Sequence, residues 1–251
     1  FYADGDNDID TTNRADGKPI VYLVDVSDEI VDSSSQAAMV YCYRCKNVTV
    51  RGLTLEKNVC GIRFHKTAGS RVEENEIREN MDGVLLEDSH HNVVRGNELF
   101  ENEDNGMLLV RSEENVLLEN SARRNRGDGV NLSESKNNTV EANELLENEN
   151  GGISLSFSTR NVVVANKARY NDLGLSLNFS GGNTLKENLM SENVLDFSAE
   201  GLNSSDLDND VDPSNRVGGK KVFYMVGASD EILDSSSDAG TVYCINCSNI
   251  T

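Results

Sequence analysis

A short pattern that recurs every 22 or 23 residues constrains the fold of this chain more than any other feature. Its clearest marker is a four-residue motif: a glycine, an apolar residue, a residue of any type and a second apolar residue. The motif begins at Gly61, Gly83, Gly106, Gly129, Gly152 and Gly174. Asparagines keep the same period in columns such as Asn80, Asn102, Asn125, Asn148, Asn171 and Asn193. A fixed period in this range is the signature of a repeat architecture.

Each repeat is predicted to consist of short β-strands. Apolar and polar residues alternate within it, as in Val130 and Leu132 against Asn131 and Ser133, and this period of two belongs to a strand with one buried face. A helical repeat needs a run of ten or more residues at a period of 3.6, and the sequence contains no such run. The leucine-dense consensus of leucine-rich repeats is also missing. The sequence therefore predicts an all-β solenoid, a parallel β-helix whose coils stack ~4.8 Å apart.

The repeated polar residues are predicted to serve the scaffold. Like residues stacked at each bend form amide ladders that satisfy buried backbone groups. We expect such a ladder from Asn75, Asn97, Asn120, Asn143, Asn166 and Asn188. We also expect a corner column of glycines with positive φ at Gly83, Gly106, Gly129 and Gly152.

A second, longer repeat divides the chain. The segment from Asp8 onward recurs 202 residues later, so that Val40-Tyr41-Cys42 is matched by Val242-Tyr243-Cys244. The predicted organisation is an acidic linker or cap, a β-helix unit, an acidic linker and the start of a second homologous unit, over residues 1–17, 18–199, 200–218 and 219–251. This arrangement is expected of a piece of a longer parent protein.

The charge of the chain limits its partners. The net charge is −20 and the isoelectric point is near 4.5, which argues against binding to nucleic acids or anionic membrane surfaces. No apolar run is long enough to span a membrane. The acidity favours cations as partners, or simple solubility.

Alternating aspartates make calcium the one cofactor that the sequence suggests, since carboxylate oxygens are its preferred ligands. They occur in both predicted linkers, at Asp4, Asp6, Asp8, Asp10, Asp206, Asp208, Asp210 and Asp212. The alternative interpretation is a flexible acidic linker without bound metal.

A second set of acidic residues follows the coil period and forms a candidate glycan groove. Its members are Glu79, Asp82, Glu101, Asp104, Asp128 and Glu147. No base is matched to an acid across a sugar, as glycoside hydrolysis would need, so no catalytic residue is assigned. Solvated surface charge is the alternative.

The cysteines are predicted to be mainly structural. Cys42-x-x-Cys45 and Cys244-x-x-Cys247 resemble half-sites for zinc, but the duplication explains both. Because strand residues three apart point to opposite faces, we do not expect the two thiols of a pair to converge. A disulfide between Cys45 and Cys60 of adjacent coils is a further hypothesis.

Three sequons are candidate N-glycosylation sites, at Asn47, Asn131 and Asn178. Asn131 and Asn178 fall on outward strand positions, where an exported protein would carry a glycan.

The repeat resembles the NosD-like, right-handed parallel β-helix proteins, which are also described as carbohydrate-binding and sugar-hydrolase coils. Asn138-Thr139-Val140, Asn143, Asn148 and Gly152-Ile153-Ser154-Leu155 carry the resemblance best, and Asn13 to Val24 is similar to the N-terminal cap of archaeal members. The resemblance implies secretion or surface display. It does not extend to copper, because no cluster of Met and His is visible.

Two functions remain open from the sequence. The first is a non-catalytic extracellular or cell-surface protein, an envelope, filament or adhesin component that contacts copies of itself through coil ends or linkers. The alternative is a carbohydrate-binding or polysaccharide-processing protein of the lyase or epimerase kind. The same coil serves many functions, so the choice depends on the site.

Overall fold

The computed structural model describes residues 5–251, which are built almost entirely of β-strands and bends. Only two short 3₁₀ helices interrupt them in this range, Ser33–Ser35 and Ser204–Leu207. Neither has the length or the hydropathy that crossing a membrane requires. The fold is therefore all-β, as the repeat predicts.

The strands form three sheets that run along the coil. The first sheet contains Arg14–Ala15, Lys18–Val24, Met39–Tyr43, Cys60–His65, Asp82–Glu87, Met107–Val110, Val130–Ser133, Gly151–Ser156, Leu173–Asn178 and Leu195–Glu200. The second contains Ile30–Val31, Thr49–Arg51, Arg71–Glu73, Val93–Arg95, Val116–Leu118, Thr139–Glu141, Val162–Val164, Thr184–Lys186 and Asp210–Val211. The third contains Thr54–Glu56, Glu76–Arg78, Glu98–Phe100, Ser121–Arg123, Glu144–Leu146, Lys167–Arg169, Leu189–Ser191, Arg216–Val217, Lys220–Val226 and Ala239–Ile245.

Neighbouring coils pair in parallel and in the register that the repeat sets. Val84 pairs with Ile62 on one side and with Met107 on the other, one repeat away in each direction. Their side chains are fully buried, and the inward residues of all three sheets form one continuous core. The predicted parallel β-helix is confirmed.

The glycine column is real, but the predicted reason for it is wrong. Positive φ is recorded at glycines such as Gly52 and Gly96 and not at Gly83 or Gly106. A Cβ on Gly83 would instead lie 2.5 Å from the carbonyl oxygen of Gly106 in the next coil. The column is glycine because the coils approach too closely for a side chain. The left-handed corners are occupied mostly by charged residues, such as Glu101 and Arg124.

The asparagine ladders are confirmed atom by atom. The Asn97 side-chain oxygen accepts hydrogen bonds from the backbone N and Nδ2 of Asn75, at 3.0 and 2.9 Å, and the same pair of bonds links successive coils. Three ladders run through the buried corners, and Asn215, Asp196 and Asn209 take their last positions. A further ladder of hydroxyls, which the sequence analysis did not identify, runs through Thr67, Ser89, Ser112, Ser135, Ser158 and Ser180.

The two segments predicted as linkers are built into the coil where the structure describes them. In the first, Ile9 packs against a cluster of Tyr22, Tyr41 and Tyr43 on the outer surface of the first sheet. In the second, Asp210–Val211 joins the second sheet and Arg216–Val217 joins the third. The many aspartates indicated solvent-exposed linkers, but in the second segment Val211 and Val217 supply core positions, and Asn209 and Asn215 supply ladder positions.

The duplication at a distance of 202 residues is visible in the contacts. The Tyr22 hydroxyl donates to the Gly5 carbonyl at 2.6 Å, and the Tyr224 hydroxyl donates to the Leu207 carbonyl at 2.7 Å. The backbone N of Ile20 likewise donates to the Asn13 carbonyl, as that of Val222 does to Asn215. The two unit starts therefore adopt the same local structure.

Candidate functional site

The outward surface of the first sheet, here called the outer face, changes in character along the coil. It begins with the tyrosine cluster, continues through a charged group around Glu87, and passes Leu85, Leu108 and Val110. It then carries hydroxyl and amide side chains, at Asn131, Ser133, Ser154, Ser156, Ser176 and Asn178, before the last strand continues the register with Ser198 and Glu200. The hydroxyl and amide part, here called the polar end, has the chemistry that best suits a ligand.

The charged group contains His65, Glu87 and Asp88, the one trio of His, Cys, Asp or Glu within residues 5–251 whose ligand atoms lie close enough to share a metal ion. Arg63 donates to one Glu87 oxygen at 2.8 Å, and Arg111 donates to the other at 2.9 Å. Arg111 also holds Asp88 at 2.9 Å. These ion pairs hold the pKa of Asp88 below its usual range, mainly through Arg111. The carboxylates are already neutralised by guanidinium groups, which does not favour a cation.

A column of Asp82, Asn105 and Asp128 borders the outer face where each strand begins. The backbone N of Asn105 donates to Asp82 at 3.2 Å, and that of Asp128 donates to the Asn105 side-chain oxygen at 3.1 Å. Burial raises the pKa of Asp128 and of Asp82 above the usual value, although hydrogen bonds to both carboxylates oppose the shift. The charged form of each carboxyl group therefore lowers the stability of the folded protein.

Asp128 connects this column to the polar end. Its carboxylate accepts hydrogen bonds from Nδ2 of Asn131 at 2.6 Å and of Asn150 at 2.8 Å, and it interacts with the Ser154 hydroxyl. The Ser176 hydroxyl in turn donates to that of Ser154 at 3.2 Å. The result is a row of fixed hydroxyls and amides that crosses three coils beside one buried carboxylate.

Two phenylalanines border the polar end where the strands end. Phe157 and Phe179 stack with their centroids 5.0 Å apart and their planes at 12°, and the Phe157 side chain is largely exposed. Both have positive φ, at 50° and 52°, a region that bulky residues rarely adopt. The same corner holds charged residues in earlier coils, such as Arg111 and Glu134. The 22-residue spacing of the two phenylalanines is visible in the sequence and places both in one column.

The six acids of the predicted groove fall into two groups. Asp82, Asp104 and Asp128 lie where first-sheet strands begin, and burial raises the pKa of all three. The glutamates occupy the left-handed corner after the third sheet, at Glu79, Glu101 and Glu147. In the same column Lys57 precedes Glu79 and Arg124 follows Glu101, and each cation pairs with that glutamate. The glutamate row is thus partly neutralised, and Asp128 is the member that contacts the polar end.

The predicted calcium-binding aspartates do not converge in the described part of the chain. Asp10 accepts from the backbone N of Thr12 at 3.0 Å, and Asp212 accepts from that of Ser214 at 2.7 Å, so these carboxylates cap turns. Asp206 closes a capping box with Asn203, and Asp6 pairs with Arg44. Asp8, Asp208 and Asp210 join no group with the spacing of a metal site. Asp4 lies outside the described residues.

The candidate glycosylation sites differ in access. Asn47 is exposed at a left-handed bend, where its Nδ2 donates to Asp28 at 2.7 Å. Asn131 and Asn178 are half-buried on the outer face, and the Asn131 amide is held by Asp128. Asn47 is therefore the sequon best placed to accept a glycan.

The structure changes the interpretation of the cysteines. The strand Met39–Tyr43 pairs in parallel with Cys60–His65. Cys60 lies at the start of this pair, beside Ala38, whereas Cys45 follows its end. The two thiols are therefore far apart, and the hypothesised disulfide between Cys45 and Cys60 does not form in this arrangement. The prediction that Cys42 and Cys45 diverge is wrong. The strand ends at Tyr43, the corner residue Arg44 has a φ of 53°, and both side chains enter the core.

Comparison with solved structures supports the fold. The periplasmic alginate epimerase AlgG is 21% identical over 80% of this chain, with a TM-score of 0.64. The pectate lyase Pel9A is 14% identical over 82%, with a TM-score of 0.53, and an alginate lyase from Paenibacillus sp. is 10% identical over 90%, with a TM-score of 0.54. The match covers 50%, 60% and 97% of those chains respectively, so this chain spans about half the length of AlgG. No curated protein sequence matches it.

A family model described as "Periplasmic copper-binding protein (NosD)" matches residues 11–144 and 99–212. The described residues do not fit copper well. The His65 group is neutralised by arginines, and Met107 and Met190 lie buried in separate coils. Two thiolates from Cys42 and Cys45 would leave a Cu(I) ion with a net negative charge inside an apolar core, which is strongly unfavourable. The match nevertheless covers well over half of the sequence, and the chain belongs to the NosD family.

Proposed function

We propose that this protein is a non-catalytic building block of a structure outside the cytoplasm, in which β-helical units follow one another in tandem. The observation that carries the proposal is the continuous backbone pairing of the third sheet, which runs from the first unit through an antiparallel hairpin into the second. Leu189 and Met190 pair in parallel with Arg216 and Val217, which pair in turn with the strand that begins at Lys220.

Side chains reinforce the junction. The side-chain oxygen of Asn215 accepts from Nδ2 of Asn188 at 2.8 Å, so the ladder of the first unit ends on a residue that opens the second. The Tyr224 and Tyr243 rings lie edge-on to Phe197 of the last first-sheet strand, with centroids 6.3 and 5.5 Å away. A hydrogen-bonded and packed junction resists bending, which suits a load-bearing or surface-covering protein.

The acidic residues also support a scaffold role. Two corner glutamates pair with a cation of a neighbouring coil, Glu79 with Lys57 and Glu101 with Arg124, and the charged group around Glu87 is held by two arginines. The asparagine and hydroxyl side chains of the ladders satisfy buried backbone groups and are committed to the fold.

Electron microscopy can test this function on a protein in which residues 1–202 are repeated several times. We expect stiff particles of regular outline, because each junction should repeat the pairing at Arg216 and the ladder contact at Asn215. In each following copy Asn13 and Tyr22 occupy the positions of Asn215 and Tyr224. The matched control therefore carries Asn13→Ala and Tyr22→Phe and should bend at the junctions. Globular units joined at variable angles in the unaltered protein would refute the proposal.

Glycan binding at the polar end of the outer face is a second candidate, favoured by one specific arrangement. Fixed hydroxyls and amides lie between the buried Asp128 carboxylate and the stacked Phe157 and Phe179 rings. The two borders lie about six residues apart along a strand, or ~20 Å, which is enough for several sugar rings. Aromatic faces provide apolar stacking surfaces, and side-chain hydroxyls and amides can hydrogen-bond to sugar hydroxyls.

Electrostatics favours a neutral glycan over an acidic one. The similar solved structures include alginate- and pectate-active proteins, whose named substrates are polyanions. This chain has a net charge of −20, and the polar end offers Asp128 without a neighbouring Arg or Lys among its recorded contacts. A polyanion would be repelled at low salt.

Calorimetric titration with neutral and uronate oligosaccharides separates the two candidates. If the polar end binds glycans, Phe179→Ala should weaken binding of the neutral oligosaccharide at least tenfold, whereas Glu134→Ala in the same corner column should not. Release of unsaturated uronate products, lost in Asp128→Asn, would instead indicate a lyase. The glycan candidate is rejected if no oligosaccharide binds at millimolar concentration.

A further inference from the structure

The pairs Cys42–Cys45 and Cys244–Cys247 break the column rules of the coil in the same way. In register with Cys42, later coils have apolar residues, at Phe64, Leu86, Leu109, Leu132, Leu155 and Leu177. In register with Cys45, they have the hydroxyl ladder that begins at Thr67 and Ser89. Both positions change to cysteine together, and they do so at the start of each unit.

The corner between the two residues brings the thiols together. Arg44 lies directly before Cys45, and Asn246 lies directly before Cys247. Their φ values are 53° and 51°. At this left-handed corner the chain turns, so that residues three apart both point into the coil. The side chains of Cys42 and Cys45 interact directly, as do those of Cys244 and Cys247.

The second pair reproduces the contacts of the first. The Cys45 thiol lies 3.4 Å from the Leu23 carbonyl oxygen, and the Cys247 thiol lies 3.3 Å from that of Met225. A serine makes the corresponding contact in later coils: the Ser89 hydroxyl donates to the Phe64 carbonyl at 3.1 Å. The hydrogen bond alone therefore does not require sulfur, and the paired cysteines need another explanation.

We propose that Cys42–Cys45 and Cys244–Cys247 are disulfide sites, one at the start of each unit, and that Cys60 remains a thiol. A disulfide is neutral and apolar, so it suits the core that surrounds Cys42, where a metal bis-thiolate would bury charge. Cys60 lies at the far end of its strand from Cys45.

The oxidant is a low-molecular-weight disulfide such as oxidised glutathione. The Cys45 thiolate attacks one glutathione sulfur and releases the other as a thiolate, which forms a mixed disulfide. The Cys42 thiolate then attacks the Cys45 sulfur and releases the second glutathione. Two protein thiols lose two electrons and two protons, and one glutathione disulfide becomes two thiols. The contact with Cys42 lowers the pKa of Cys45 to about 7, which suits it to the first attack.

The test is to refold the full chain in a buffer of oxidised and reduced glutathione, alkylate the remaining thiols and map peptides by mass spectrometry. Cys42 and Cys45 are buried, so refolding gives the oxidant access, whereas the exposed Cys244 should also react in the folded protein. We expect both short-range bonds and one alkylated cysteine, Cys60. Alkylation of all five cysteines, or any bond to Cys60, would overturn the proposal.

Serine variants guard against misfolding, because serine or threonine occupies the position of Cys45 in later coils. Cys45→Ser should fold, as judged by circular dichroism, and should lose only the first bond, with Cys42 newly alkylated. Cys247→Ser should lose only the second. Cys60→Ser should retain both bonds and leave no thiol to alkylate. If Cys45→Ser folds and Cys42 forms a bond with another residue, the pairing is wrong.

Discussion

Removing one rung from the middle of an asparagine ladder should destabilise the protein severely. The Asn120 side chain donates to the Val94 carbonyl at 2.9 Å and to the Asn143 side-chain oxygen at 3.0 Å. Its own oxygen accepts from the backbone N of Asn97 at 3.0 Å and from Nδ2 of Asn97 at 2.9 Å. Asn120→Ala removes these four hydrogen bonds, and the site is 1% exposed, so water does not readily replace them.

At about 1 kcal/mol for each bond, with an added penalty for the buried N–H of Asn97, the free energy of unfolding should fall by about 4–6 kcal/mol. Urea unfolding followed by far-ultraviolet circular dichroism measures the change. The matched control is Asn137→Gly, at an exposed left-handed corner where glycine keeps the backbone geometry. The control should stay within about 1 kcal/mol of the unaltered protein.

Amide hydrogen exchange locates the damage. Protection should fall first at Asn97 and at the strands that flank the missing rung, because each coil contacts mainly its neighbours. An Asn120→Ala protein that unfolds within 1 kcal/mol of the Asn137→Gly control, with the same urea dependence, would refute the ladder argument.

Three further changes test separate parts of the structure. Asp128→Asn should raise the free energy of unfolding at pH 7, because burial raises the pKa of Asp128 and its charged form destabilises the folded state. The gain should shrink as the pH falls and vanish below about 3.8, where the Asp128 carboxyl is neutral in the folded and unfolded protein alike; urea unfolding across pH measures this. Gly83→Ala should lower the free energy of unfolding by about 1–3 kcal/mol, seen as a lower urea midpoint, because the new Cβ would meet the Gly106 carbonyl. Tyr224→Phe removes the bond to Leu207 and should speed amide exchange near residue 207 while the centre of the coil stays protected.

The sequence was sufficient to predict the repeat architecture because a coil exposes its period directly. Val84 stacks between Ile62 and Met107 in the register that the glycine and asparagine columns indicate. The sequence did not, however, show why a given residue type is required in every column. Gly83 avoids the carbonyl of the next coil, a contact between residues 23 apart that no local rule for glycine anticipates.

The candidate site was harder to predict because it depends on where corners fall. Counting strand alternation through Tyr43 placed Cys42 and Cys45 on opposite sides, but one left-handed residue after the strand brings them together. The same limit applies to Asp128. Its place in an acidic row was evident, whereas its burial and its contact with Asn131 follow from the neighbouring coil.

A repeat protein supplies its own reference for deciding which residues serve the scaffold. Every position has copies in register, and the common residue at each shows what stacking requires. A residue that departs from this requirement and weakens the fold therefore indicates a role other than stability, such as ligand binding. Phe157 accepts a left-handed backbone that disfavours it, and Asp128, like Asp82, keeps a buried carboxylate although Asn105 between them shows that a neutral amide fits the column. Both departures border the polar end of one face, and for that reason a ligand should be sought there first.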